Sequence, residues 1–448
     1  MSEASIEEKE TGEVARFPKR ALLALVFVVA LGTSYFYFAL LLPGAARVGV
    51  ANQMIGRYGF GGDFYPIWLT GRAVFQNRTD PYTPEMTREI QTGLFGRPMD
   101  PKRPYDPPVE FRAFSYPLYA DLLAAPLLPL RFDAVRVILS VLLPVLTGAS
   151  LLWWLRAFGL QVSGTAAAIA IVLLLVSYPV LEGLYAQQAG LMCGIALAGS
   201  ALLLARGRMF AAGALLACAS VKPQLVWLGV LWLMVWAASD WAQRKNLIFG
   251  FAAAMSALLL ASELLLPGWF FGWWRALTGY SHYTLPPLTQ LVLGKYPGAA
   301  AGVATLALGM WMAWKVRRDP ADSERFTLAT SFALAITVLL APTGGAVYDQ
   351  VILIPAVLWL ACRKKEVLAG KVAIRVIGII AAGVLCWQWV FACAVAMASI
   401  AASRWARTPA VLVFPTRMAA PLPFLILVLL GFFVIRVLRG LRLRAELA

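Results

Sequence analysis

From Ala21 to Leu42 the chain carries no charged residue. At about 1.5 Å per helical residue, such a run covers a hydrocarbon core of about 30 Å. Further apolar stretches lie near 116–130, 134–155, 164–181, 188–205, 210–238, 247–266, 298–316, 325–342, 347–363, 373–400 and 418–438. Together they predict about twelve crossings, within a range of about 11–13, each helical because a helix satisfies its own backbone polar groups in lipid. The first run exceeds the roughly 7–15 apolar residues of a signal peptide, so it reads as a retained helix. The expected fold class is an all-α polytopic membrane protein.

Polar interruptions set the expected topology. Arg244-Lys245, Lys315 with Arg317-Arg318, Arg363-Lys364-Lys365 and the final cluster Arg436, Arg439, Arg442 and Arg444 fall on alternate connections. Basic connections favour the cytoplasm, so both termini are expected there and the loops 267–297, 343–346 and 403–417 outside. Parity between 116 and 238 stays open, since it places Arg156, Arg206 and Arg208 outside. The short stretch 116–130, or 210–238 with Lys222-Pro223 inside it, is the candidate half-span. The domain reading is a cytoplasmic tail over 1–20, one membrane domain over 21–438 and a basic tail over 439–448.

Two outer stretches, Pro43 to Ser115 and Pro267 to Pro297, are too long for simple connections and are where function is expected. In the first, Gly61-Gly62-Asp63 resembles an N-cap ahead of an interfacial helix beginning at Phe64, and Thr83-Pro84 opens a second short helix. In the second, Trp269-Phe270-Phe271 and Trp273-Trp274 with Arg275 read as an aromatic belt among lipid headgroups.

Composition agrees with the pattern, since a chain 60% hydrophobic and 14% charged has the bilayer as its solvent. The net charge of +16 sits on connections and the C-terminal tail, so it reports topology rather than nucleic-acid binding. Cys193, Cys218, Cys362, Cys386 and Cys393 stand inside apolar runs and read as small buried hydrophobes without disulfide or thiolate-metal spacing. His282, the single histidine, argues against a histidine-built metal centre. Nucleotide-binding glycine loops and a Ser-His-Asp set are absent, so energy must arrive with the substrate.

Asp63 is the leading candidate for chemistry, because a carboxylate at the membrane edge, near Tyr65, Arg57 and Arg72, can accept a proton from a hydroxyl. Its alternative role is the N-cap. Lys222 inside an apolar run costs roughly 2.5–3.5 kcal/mol and therefore faces a partner such as a lipid phosphate, or else a helix break. Glu182, Gln187 and Gln188 form one polar knot and Tyr348-Asp349-Gln350 another, each equally readable as loop polarity.

Gly62-Asp63-Phe64, Asp80-Pro81-Tyr82, Tyr116-Pro117-Leu118, Gln187-Gln188 and Ala212-Gly213 followed by Lys222-Pro223 occur in an order that resembles glycosyltransferase family 87 over residues 20–360. The resemblance implies a GT-C fold and an enzyme that takes a hexose, commonly mannose, from a polyprenyl-phosphate donor. The acceptor would be a glycan or glycolipid on the extracytoplasmic side of the cell membrane. It implies Asp63 as catalytic base, no separate cofactor and no metal. Arg57, Arg72, Tyr82, Gln188, Lys222, His282, Tyr348 and Asp349 would bind substrate. The chain departs from the family pattern at Leu118, where a second proline is common. Gln188 lacks the asparagine that often follows two positions later, and Tyr348-Asp349 stands where many members have a histidine. The rival readings are a transporter or flippase of lipid-linked or small anionic substrates, with Lys222 at a mid-membrane site, and a non-catalytic subunit or polymerase-type ligase of envelope polysaccharide.

Overall fold

The computed structural model describes residues 19–54, 59–100, 102, 103, 106, 111–280, 284–342, 346–401, 408, 411 and 414–440, which form helices joined by turns and loops. Among them five helices are long and apolar enough to cross a membrane: Lys19–Ala51, Phe132–Ala157, Trp241–Leu265, Lys295–Val316 and Val372–Ile400. A bent pair, Gly164–Leu175 and Tyr178–Ala186, meets at 59° and brings the number to six if it is one span. Shorter apolar helices fill the bundle between them, including Ala189–Ala205, Met209–Ala219, Pro223–Ala238, Val347–Cys362 and Leu422–Leu438.

The described residues therefore hold a mixture of long spans and broken ones, with five or six helices of spanning length where about twelve crossings are expected. Prolines explain the two candidate half-spans. The stretch 116–130 is no span: it holds the five-residue helix Tyr119–Leu123 and a 3-10 turn Ala125–Leu127, and Pro126 and Pro129 lack the N–H groups a helix needs. The stretch 210–238 breaks before Pro223, which holds Lys222 out of helical geometry at φ −120° and ψ 76°.

Aromatic and aliphatic side chains from the short helices make the main core. Trp236 and Trp232 meet Phe326 at ring-centroid distances of 5.1 and 5.5 Å, and Trp359 meets Phe433 at 4.9 Å. The helices Met209–Ala219 and Trp241–Leu265 touch backbone to backbone, because a Cβ on Gly213 would lie 2.0 Å from the Leu247 carbonyl oxygen and one on Gly250 2.0 Å from that of Phe210. Small residues at such crossings supply close van der Waals packing where lipid offers no hydrophobic drive. The outer faces of the long spans stay apolar and exposed, as at Leu264, Val303 and Val372. Cys362 and Cys386 lie on exposed faces too, which corrects their reading as buried.

The basic connections gather at one end. Arg244 donates to the carbonyls of Arg317 and Arg318 at 3.0 and 3.2 Å, while Arg363 pairs with Glu324 at 2.9 Å and Arg436 with Glu366 at 3.1 Å. Beyond the other end of the bundle lies a small helical layer. The helix Pro84–Phe95 starts as expected, its Thr83 hydroxyl accepting from the Met86 amide at 3.3 Å. The helix Tyr65–Asn77 starts differently, with Phe64 as its N-cap residue and no side-chain cap, so Asp63 does not cap it. The helix Trp269–Tyr280 is more than a headgroup belt. Trp269 is buried beside Tyr119, and the Trp273 indole donates to the Ser115 carbonyl at 3.0 Å, while Phe271 and Trp274 face outward.

Candidate active site

The loop before Tyr65 is tied to the end of the helix Tyr178–Ala186. Gly61 N–H donates to the Tyr185 carbonyl at 2.9 Å and Asp63 N–H to that of Ala186 at 3.0 Å, occupying carbonyls a helix end leaves unpaired. Gly61 has φ +78°, and a Cβ there would lie 2.8 Å from the Gln187 side-chain oxygen, so conformation and space both call for glycine.

This attachment turns the Asp63 carboxylate inward. It is 7% exposed; Gln188 Nε2 donates to Oδ2 at 2.6 Å and the Arg112 guanidinium pairs with Oδ1. Gln188 also caps the next helix, its Oε1 accepting from Gly190 N–H at 3.4 Å, and the Tyr116 hydroxyl reaches the same oxygen at 3.4 Å. Arg112 and Gln187 have φ +57° and +51°, two of the four non-glycine residues with positive φ among those described. Backbone held in that region costs about 1–3 kcal/mol and persists where surrounding contacts over-determine it.

A second buried pair lies alongside. Lys222 Nζ is 2.6 Å from Asp349 Oδ1, with both side chains almost fully enclosed. Gly190 makes room for it, since a Cβ there would stand 2.8 Å from Asp349 Oδ1. The Lys222 ammonium also lies 4.9 Å from the ring centre of Tyr348. The two pairs adjoin at Gly190, whose N–H is capped by the Gln188 side chain and whose Cα packs against Asp349. The break holding Lys222 is braced by the Tyr119 hydroxyl, which donates to the Ser220 carbonyl at 2.9 Å.

Of the residues expected from sequence, Asp63, Gln188, Lys222, Tyr348 and Asp349 therefore come together. Tyr82 stands one layer away, donating to the Tyr116 carbonyl at 3.0 Å. Arg72 does not reach Asp63; its guanidinium lies 5.0 Å over the Trp68 ring. Arg57 and His282 fall outside the described residues. Sequence reasoning missed Arg112, which has no apolar run or motif around it to mark it. It also missed Asp121, which is fully buried beneath the first outer layer and accepts from the Thr70 hydroxyl at 3.2 Å. Burial pushes the Asp121 carboxyl well above the ordinary carboxylate range, with the Thr70 bond opposing it.

A buried carboxylate with an arginine, a lysine and tyrosines around it suits proton abstraction beside an anionic group. The family model described as glycosyltransferase family 87 matches residues 114–342. The chain belongs to glycosyltransferase family 87. The match is narrower than the span over which the sequence resembles the family: it takes in Tyr116, Gln188 and Lys222 and leaves out Asp63, Tyr348 and Asp349. No curated protein and no solved structure matches the chain. Membership in family 87 makes the protein a glycosyltransferase.

Proposed function

We propose that this glycosyltransferase moves a hexose, mannose in the first instance, from a polyprenyl-phosphate donor to a hydroxyl of a glycan or glycolipid, with Asp63 as general base. The observation that carries the reading is the Asp63 carboxylate itself, buried and aimed by Gln188 and Arg112, with the Lys222–Asp349 pair alongside. The acceptor hydroxyl gives its proton to Asp63 as its oxygen bonds to the anomeric carbon. The bond from that carbon to the phosphate oxygen breaks, and polyprenyl phosphate leaves with the electron pair.

Arg112 holds the oxygen that the acceptor needs, so an arginine and a hydroxyl compete for the same lone pairs. Its side chain is 35% exposed, against 8% for that of Asp63, which makes it the movable partner. When a donor phosphate arrives, Arg112 turns to it, freeing the base and stabilising the leaving group together. Lys222 is already paired with Asp349, so the charge for the leaving group comes from Arg112. The reading puts this chemistry on the extracytoplasmic face, because the basic connections gather at the opposite end.

Purified protein given polyprenyl-phosphate mannose carrying a radiolabelled sugar, with a glycolipid acceptor, tests the proposal. Label transferred to the acceptor supports it. Label that crosses a vesicle membrane without transfer, or stays on the donor with every acceptor and sugar tried, overturns it.

A further inference from the structure

Toward the basic end of the bundle, the helices Pro223–Ala238, Lys295–Val316 and Glu324–Leu340 leave a cavity of about 230 Å³, none of whose lining residues belongs to the Asp63 site. Leu231, Trp232, Leu306, Met310, Trp314 and Ala333 line it, and Leu231, Met310 and Trp314 are exposed, so it opens sideways toward lipid. Gly309 faces the third helix across the floor, where an added Cβ would stand 2.6 Å from Ile336 Cδ1. From Leu306 to Trp314 the groove runs roughly 12 Å along the helix axis, close to the apolar thickness of one leaflet.

The mouth is charged. Arg317 lies with its guanidinium 3.7 Å from the ring centre of Trp314, which itself lines the cavity, and Lys315 and Arg318 flank it in sequence. Neighbouring carboxylates are engaged elsewhere: Asp319 pairs with Arg325 at 3.2 Å, Asp240 with Arg244 at 3.7 Å and Glu324 with Arg363 at 2.9 Å. Asp322 is the remaining acid of that turn, against three cations, so the mouth keeps a positive surplus.

We propose that this groove holds one acyl chain of an anionic phospholipid whose phosphate sits among Lys315, Arg317 and Arg318. The apolar lining takes the chain and the surplus charge selects the headgroup. The site is separate from the reaction centre, and the proposal stands whatever sugar the enzyme transfers.

Native mass spectrometry of the full-length protein, exchanged into equal amounts of phosphatidylglycerol and phosphatidylethanolamine, reads it directly. The parent protein should retain one phosphatidylglycerol with a preference of about tenfold or more, the scale expected of several basic residues at an anionic headgroup. Ala333→Phe should abolish retention by filling the groove. The surface variant Lys315→Gln/Arg317→Gln/Arg318→Gln should keep a lipid yet lose the preference, and it carries the test if Ala333→Phe does not fold. Equal retention of the two lipids by the parent, or unchanged preference in the triple variant, overturns the proposal. So does unchanged retention by folded Ala333→Phe. Displacement by added polyprenyl phosphate also overturns it, by assigning the groove to the donor tail.

Discussion

Lys222 and Asp349, 127 residues apart in the chain, meet at 2.6 Å in a place where neither has water to fall back on. Removing one partner of such a pair leaves an uncompensated charge and costs roughly 3–5 kcal/mol, whereas removing both can be nearly neutral. From sequence alone, Lys222→Met is expected to leave the protein folded. The pairing reverses that expectation.

Lys222→Met should therefore lower the thermal midpoint in detergent, and Lys222→Met with Asp349→Leu should recover most of the loss. A double-mutant cycle followed by tryptophan fluorescence measures the coupling. Strictly additive effects would show that the pair contributes no mutual stabilisation.

Asp63→Asn should be made and inserted at normal levels, because Asp63 caps no helix and Arg112 is partly solvated. Its transfer rate should fall by about 10²–10⁴-fold, the scale of losing a positioned base. A rate within a few-fold of the parent would remove Asp63 from the mechanism and turn attention to Asp349.

Arg112→Lys keeps a positive charge and loses the planar fork. If the residue turns from Asp63 to the donor phosphate, this variant should raise the KM for donor by about tenfold, the scale of one charge-assisted bond, with a smaller change in that for acceptor. An unchanged donor KM would restrict Arg112 to a structural tie.

In the outer layer Arg97 grips Asp106 with two bonds, at 2.6 and 2.7 Å, and the Asp100 amide adds a third at 2.8 Å. The guanidinium bonds come first in lowering the Asp106 carboxyl to about 2, against burial, which raises it. Because the folded value lies below the unfolded one, the stabilisation is complete above the ordinary carboxylate range and disappears as pH falls toward 2. Protease resistance at Arg97 should hold from neutral pH to about 5 and decline below about 4. Arg97→Gln should weaken resistance at neutral pH and flatten this decline; a profile identical to the parent's would contradict the assignment.

Gly213→Val should drive a Cβ into the Leu247 carbonyl and sharply reduce folded yield, since overpacking at a rigid contact costs about 1–3 kcal/mol or more. Gly383→Ala, where an added Cβ meets nothing, serves as the control and should be neutral or stabilising. Gel-filtration yield of monodisperse protein distinguishes them.

Much of this is legible in the amino-acid sequence. Solvent class follows from charge-free runs such as 21–42, and the shared end of the basic connections from where Arg244, Arg317 and Arg363 fall along the chain. Thr83-Pro84 marks a helix start because cap chemistry is local. Pro223 marks the break beside Lys222 for the same reason. Gln188 and Lys222 stand out because polar residues next to apolar runs are costly and so carry information, and Asp63 because it is a carboxylate in a glycine-flanked stretch at the membrane edge.

Pairings were not legible. That Asp63 caps nothing but takes Gln188 and Arg112, and that Asp349 already neutralises Lys222, are decided by contacts between segments 49 to 127 residues apart. Hydropathy reports the solvent each stretch prefers and local motifs report how a helix begins or ends. Which buried charge finds which partner depends on where distant helices bring their side chains in three dimensions, and only the folded bundle determines that.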